Sequence, residues 1–197
     1  AGRKGSLWLD IGCGAGTYTR LLDEWGLRVV ALDYSAPSLR KAVQRSPRTI
    51  RWVAGDATRL PVKSGAVEGI LCFGVLQALS GPEAMSRECA RALAPGGRLY
   101  VDALNAWCLP HLFGRLKRWF TGARPHLRHE EAAVFRKVLA ECGFRVTGFH
   151  WLPLLPGRFG WLQPWLESAP AGFLLRWVPG LGQLLCHSFL VEAELPQ

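Results

Sequence analysis

The chain has 197 residues, 49% of them hydrophobic and 20% charged, which suits one compact domain with a sizeable core and excludes a disordered or collagen-like chain. Its 24 Lys and Arg against 15 Asp and Glu give a formal net charge of +9, a balance that favours anionic partners or simply reflects an Arg-rich surface. The six cysteines lack CxxC or other zinc-ligand spacing, so they read as reduced thiols in a cytoplasmic protein, and no metal is expected.

Residues 7–11 form a short apolar run that predicts a buried strand, followed by a Gly-rich turn over 12–16 and a helix over 17–25 with Thr17 as its N-cap. Residues 28–32 predict a second strand, and 37–44 a second helix with Pro37 near its start. Strands at 50–54 and 67–73, a helix at 82–93, a turn at 94–97 and a strand at 98–103 continue the alternation. Strands alternating with helices argue a parallel, doubly wound α/β sheet.

The pattern changes after Asn105. Residues 105–128 hold no clean strand and no acidic residue. An amphipathic helix is expected over 130–142 with Gly143 ending it, then a sixth strand over 144–152. A Trp- and Pro-rich insert fills 153–186, and 188–194 is the last strand, which suits an antiparallel hairpin at the sheet edge. No apolar run reaches the roughly 18 residues of a membrane span, and residues 1–6 carry no signal-peptide apolar region.

Three features carry chemistry. Leu9-Asp10-Ile11-Gly12-Cys13-Gly14-Ala15-Gly16 ends the first strand and opens the first helix. Glycines there permit a tight turn and close approach of a ligand to the backbone, outside the carboxyl ends of the strands, where such sheets bind ligands. The spacing is GxGxG, without the GxGxxG dinucleotide fingerprint. Asp33 stands at the end of the second strand, 17 residues after Gly16, where a carboxylate can accept both hydroxyls of a ribose. Gly55-Asp56-Ala57 follows the third strand; Asp56 can accept from an exocyclic amine while the next backbone N–H donates to a ring nitrogen, a pair that reads adenine.

Together with Val30-Ala31-Leu32-Asp33-Tyr34-Ser35, Val75-Leu76-Gln77-Ala78-Leu79 and Leu93-Ala94-Pro95-Gly96-Gly97-Arg98-Leu99, these segments stand in an order that resembles the class I S-adenosyl-L-methionine (SAM)-dependent methyltransferases. The resemblance is to the group of small-molecule and ubiquinone/menaquinone-pathway enzymes, and it covers residues 7–101. It implies a Rossmann-like, doubly wound, seven-stranded sheet, mostly parallel with an antiparallel last strand, in one domain spanning 1–197. It also implies SAM as cofactor. Gly12, Gly14 and Gly16 would lie against its methionine part, Asp10 would help hold the amino group, Asp33 the ribose, and Asp56 with Ala57 the adenine. Cys13 and Tyr34 fall in the same set, and the backbone around Cys72 and Phe73 would face the sulfonium.

The chain departs from the group in three places. Relatives often read Val-Leu-His-His where this chain has Val75-Leu76-Gln77-Ala78, and Gln77 cannot serve as a base. Many relatives carry an N-terminal helix that lids the cofactor; this chain starts almost at the first strand, so the expectation is an absent or removed lid and weaker cofactor affinity. Ala36-Pro37 after Tyr34-Ser35 should be tolerated as a helix start.

Methyl transfer is an in-line displacement in which the enzyme aligns the acceptor and excludes water. A base adds about 10²–10⁴-fold when the acceptor must lose a proton, and none is assigned. His111, His126 and His129 are the candidates, with His150 and His187 placed on strands. Two segments are expected on the acceptor side. Residues 105–128 carry Arg115, Lys117, Arg118, Arg124 and Arg128 with Trp107, Phe113, Trp119 and Phe120. Residues 153–186 carry Trp161, Trp165, Phe173 and Trp177, with Trp161 and Trp165 on one face if that stretch is helical. Such inserts suggest a small, apolar or lipid-like acceptor, with peripheral membrane contact as a further reading. Against nucleic acid as substrate, the fourth strand ends in Leu71-Cys72-Phe73-Gly74, without an Asn/Asp-Pro-Pro-aromatic motif. An RNA methyltransferase and a non-catalytic SAM-binding protein remain the alternatives; an NAD-dependent dehydrogenase would leave Gly55-Asp56-Ala57 unexplained. The oligomeric state is not legible.

Overall fold

Runs of Leu, Ile, Val and Ala shielded on both faces make the centre of the sheet. The computed structural model describes residues 4–122, 127–153, 163–166, 168–178 and 180–197. Among these, the strands are β1 (Leu7–Ile11), β2 (Arg28–Asp33), β3 (Arg51–Ala54), β4 (Val67–Cys72), β5 (Leu93–Leu104), β6 (Arg145–Leu152) and β7 (Ser188–Glu194). They form one sheet in the order β3-β2-β1-β4-β5-β7-β6. β3, β2, β1, β4 and β5 pair in parallel, and β7 runs antiparallel between β5 and β6. β1 and β4 are buried almost throughout instead of alternating, as parallel strands covered on both sides must be.

The helices are α1 (Thr17–Glu24), α2 (Ala36–Gln44), α3 (Glu83–Ala92), α4 (Leu109–Thr121), α5 (Ala132–Glu141), α6 (Gln163–Leu166), α7 (Ala169–Trp177) and α8 (Leu181–Leu185). On one face, Met85 and Cys89 of α3 and Phe135 and Leu139 of α5 pack with Ile70, Leu99, Val101 and Phe189 in the main core. On the other, Leu22 of α1 meets Trp8, Val29 and Leu71, and Leu39 of α2 meets Cys13, Ala31 and Ile50. Each such side chain, fully buried, contributes roughly 1.5–3 kcal/mol.

The order of strands reverses between β1 and β4. Chain running from β1 goes outward through β2 and β3, and β4 returns to the other side of β1. The crevice at that reversal, beyond the strands' carboxyl ends, is where a ligand finds exposed loop backbone.

Four elements differ from the sequence expectation. α1 is capped by Gly16 (φ 80°, ψ 26°), and Thr17 is its first residue, not its cap. The expected turn at 94–97 lies inside β5 as a looped-out stretch, where the β4 register jumps from Val67↔Leu93 to Gly69↔Arg98. Residues 105–128 contain α4, which Pro110 in its first turn starts without penalty. The insert at 153–186 contains α6, α7 and α8, and β7 pairs with β5 so that β6 is the edge strand. The predicted end of α5 holds: Gly143 (φ 89°) donates to Ala140 O and Phe144 N to Leu139 O, a Schellman pair.

Candidate cofactor site

The 12–16 loop is tied to the strand beside it. The N–H groups of Gly12 and Cys13 both donate to Leu32 O, at 2.7 and 3.1 Å. One residue on, the Asp33 carboxylate bridges two elements: Oδ2 accepts from Gly14 N and Oδ1 from Ser35 N, each at 2.7 Å. Two backbone donors therefore fix the carboxylate, and each oxygen keeps a second lone pair. Ser35 then caps α2, its Oγ accepting from Ser38 N at 3.3 Å, with Pro37 in the first turn.

Glycine at position 12 is required twice over. Its φ is +71°, and an added Cβ would lie 2.2 Å from Val75 Cγ2. Gly16 is required for another reason: at φ +80° a Cβ would meet the Trp52 ring at 2.6 Å. The loop thus passes close to the segment after β4 on one side and to β3 on the other.

Between these walls lies a cleft of about 520 Å³. Gly12, Asp33, Tyr34, Asp56 and Ala57, five of the sequence-predicted residues, line it. Asp56 is shaped by Thr58, whose N–H and hydroxyl both donate to Oδ1 at 2.8 Å, and these bonds hold its carboxyl below the usual carboxylate range. Tyr34 is 87% exposed and stands at the rim.

The other predicted residues surround the cleft without lining it. Asp10 lies beneath the loop, almost wholly buried, accepting from Thr19 Oγ1 at 2.5 Å. Burial, opposed by the Thr19 bond and aided by the charge of Asp33, raises its pKa to about 6. The Cys13 side chain packs in the core with Ala31, Leu39 and Ile50, so only its backbone belongs to the loop; burial pushes its thiol up to about 12. Gly14 acts through its N–H on Asp33, and Gly16 through the space it leaves for Trp52. The Phe73 ring turns away, edge-on to Tyr18 at 5.1 Å between ring centres.

In its place the wall after β4 is built by Gly74, Val75, Ala78, Leu79 and Ser80, with Leu32, Gly55 and Thr58 opposite. Gly74 N donates to Asp102 Oδ1 at 2.7 Å, which links β5 to this wall; burial raises the Asp102 carboxyl against that bond. The sequence signal for Val75 and Leu79 was present in the 75–79 segment, but Asp102 has no motif.

Beyond the cofactor cleft, three imidazoles meet near the end of β5. The His111 ring lies 4.2 Å from His129 and 4.5 Å from His187, centre to centre, and its Nδ1 is 2.7 Å from Asn105 O. His187, expected on a strand, sits just before β7, and burial with the nearby His111 lowers its pKa. His150 is elsewhere, on β6, paired with Glu192 at 2.9 Å. Among the described residues no group of three or more metal-ligating side chains takes an arrangement that could hold a metal ion. His126, Arg124 and Trp161 lie outside the described residues, as do the side chains of Arg115, Lys117 and Arg118.

A profile of the methyltransferase domain family (Methyltransf_11) matches residues 9–101, the stretch that runs from β1 into β5 and builds this cleft. Over those residues the chain is similar to methyltransferase domains, in keeping with the resemblance its motifs carry. The chain is 38% identical over 104 residues to the biotin biosynthesis bifunctional protein BioHC of Cellvibrio japonicus, a match covering 53% of this chain and 21% of that protein. It is 40% identical over 105 residues to the 2-phytyl-1,4-naphtoquinone methyltransferase of Thermosynechococcus vestitus, covering 50% and 46% respectively. The chain thus spans less than half the length of these relatives. In fold it matches an S-adenosylmethionine-dependent methyltransferase from Mesorhizobium loti with a TM-score of 0.71 at 19% identity, over 97% of this chain and 91% of that one.

Proposed function

We propose that this methyltransferase domain transfers a methyl group to a small, apolar or lipid-like acceptor by in-line displacement. The observation that carries the reading is Asp33, locked by Gly14 N and Ser35 N at 2.7 Å each with lone pairs left for a diol. The residues present fit SAM: the turn has no room for a Cβ at Gly12, and the cleft is walled by Gly55, Asp56 and Ala57 where a purine needs an acceptor and a backbone donor. Bound SAM supplies an electrophilic methyl group on a sulfonium.

The chain's own residues do the rest. Gly12 presents backbone to the amino-acid part, Gly14 holds Asp33 in place, and Asp10 beneath the loop supplies negative charge toward an ammonium. Asp33 orients the ribose and Asp56 the adenine. Val75 and Leu79 close the wall after β4 with apolar surface that keeps water out. For an acceptor that must lose a proton, His187 is the candidate base, because burial favours its neutral form. An acceptor with an acidic hydroxyl needs no base. The apolar character of the acceptor rests on the aromatic residues of 105–128 and 163–178, and a relative named for a phytyl naphthoquinone supports it.

Incubation with methyl-labelled SAM, beside a reduced prenylated quinone, a free catechol and RNA, tests this directly. Label is expected in the organic extract of the quinone arm. Label in RNA alone would establish the RNA reading instead, and binding of cofactor with no label in any arm would leave a non-catalytic SAM-binding protein.

A further inference from the structure

We propose that α4 is a docking surface for an anionic lipid bilayer. The proposal rests on the apolar acceptor proposed above, which a bilayer surface would deliver. Residues 105–128 contain five Arg and Lys and no Asp or Glu. Within that stretch α4 runs 13 residues and presents Phe113 at 70%, Trp119 at 77% and Phe120 at 73% exposure. Phe113 and Phe120 are seven residues apart, two turns along one side of a helix, with the Trp119 ring packed on Phe120 at 4.8 Å. A helix of this length normally buries its aromatic stripe against its own protein; this one exposes it.

The same half of the chain carries a second exposed aromatic pair. On α7, Phe173 and Trp177, one turn apart, are 62% and 65% exposed with rings 5.8 Å apart. The base of α4 is tied to the helix after α7 by Asn105, whose Nδ2 donates to Gln183 O and Cys186 O at 2.7 Å each. Among the described residues, fifteen of the twenty exposed large hydrophobic side chains fall after residue 105, so the apolar surface is gathered in one half of the chain.

Aromatic side chains bare on a helix, in a segment with only positive charge, match the boundary of a bilayer bearing negative headgroups. Trp and Phe enter the headgroup–acyl boundary, and the net positive charge of the segment favours the anionic surface. A protein partner would need an acidic apolar groove, and a second copy of this chain would set +9 against +9.

The test is co-sedimentation of the full chain with vesicles of phosphatidylcholine alone and of phosphatidylcholine mixed with phosphatidylglycerol, with tryptophan quenching by brominated lipid. Binding to the mixed vesicles is expected, weakening with added salt. The double variant Trp119→Glu, Phe120→Glu should lose binding by at least about tenfold, while S-adenosylhomocysteine binding, which these residues do not serve, reports an intact fold. No binding to mixed vesicles, equal binding to phosphatidylcholine alone, full binding by the double variant, or retention by RNA or a dimer in place of lipid overturns the proposal. Because no arm reads methyl transfer, a chain that binds cofactor but not vesicles sinks this inference alone, and one that binds vesicles but not cofactor sinks the methyltransferase reading alone.

Discussion

The two halves of the chain solve opposite problems. Up to Leu104, five parallel strands bury their faces and the polar groups that matter are fixed by backbone: Asp33 by two N–H groups, Asp56 by Thr58, Asp102 by Gly74. After Asn105, α4 and α7 leave Trp119, Phe120 and Trp177 bare. On the function proposed above, the first half holds a cofactor that must be gripped the same way every time. The second presents adaptable apolar surface, where acceptors and partners differ. The contrast teaches that a rigid, predictable site and a variable one can share a single sheet.

The sharpest way to break the first half is Gly12→Val. A Cβ there would meet Val75 at 2.2 Å at a positive φ, and a branched one adds more. S-Adenosylhomocysteine binding should vanish in calorimetry, with stability falling by about 1–3 kcal/mol in thermal melts.

Asp10→Asn probes the charge beneath the loop. The folded pKa is about 6, above an unfolded value near 3.9. The neutral form therefore stabilises the fold fully below about pH 4, and that stability is lost as pH rises through about 6. Two units correspond to roughly 3 kcal/mol. Melting curves of the variant and the parent should converge near pH 4 and separate up to pH 7, with the variant more stable at neutral pH. Cofactor affinity should move the other way, weaker in the variant at pH 7, because a buried carboxylate retained at a cost in stability serves the ligand.

The smallest effect should come from the second half. Trp119→Ala and Trp177→Ala remove rings that are mostly exposed, and thermal stability should change by within about 0.5 kcal/mol. A large loss from either would mean that these rings support the core and that the contrast between halves is false.

The first half was legible in the sequence because its signals are local. Buried runs such as Leu9–Ile11 and Ile70–Cys72 read as parallel strands, and GxGxG, Asp33 and Asp56 stand at strand ends where a ligand must be met. What the sequence does not carry there is set by contacts from distant residues. Thr17 has the chemistry of a cap, but Trp52 lying over Gly16 places the left-handed turn one residue earlier. Cys13 faces the core because Leu39 and Ile50 come to meet it, and the Phe73 ring turns toward Tyr18. In the second half, Pro and Gly punctuate the apolar stretches of 105–128 and 153–186. α4 contains Pro110 and Gly114, so its period was hidden although its stripe is strong. The meeting of His111, His129 and His187 is a tertiary event, since β7 inserts beside β5 and brings His187 to residues far earlier in the chain.

The central claim is that the cleft between the 12–16 loop and Asp33 holds SAM. It is tested most directly by calorimetric titration with S-adenosylhomocysteine of the parent and of Asp33→Ala, with NAD as the control ligand. Micromolar binding by the parent, lost by about 100-fold or more in the variant through removal of charged hydrogen bonds worth roughly 1.5–3 kcal/mol each, and no response to NAD, is the predicted result. Equal binding by the two proteins, or a preference for NAD, would contradict the account.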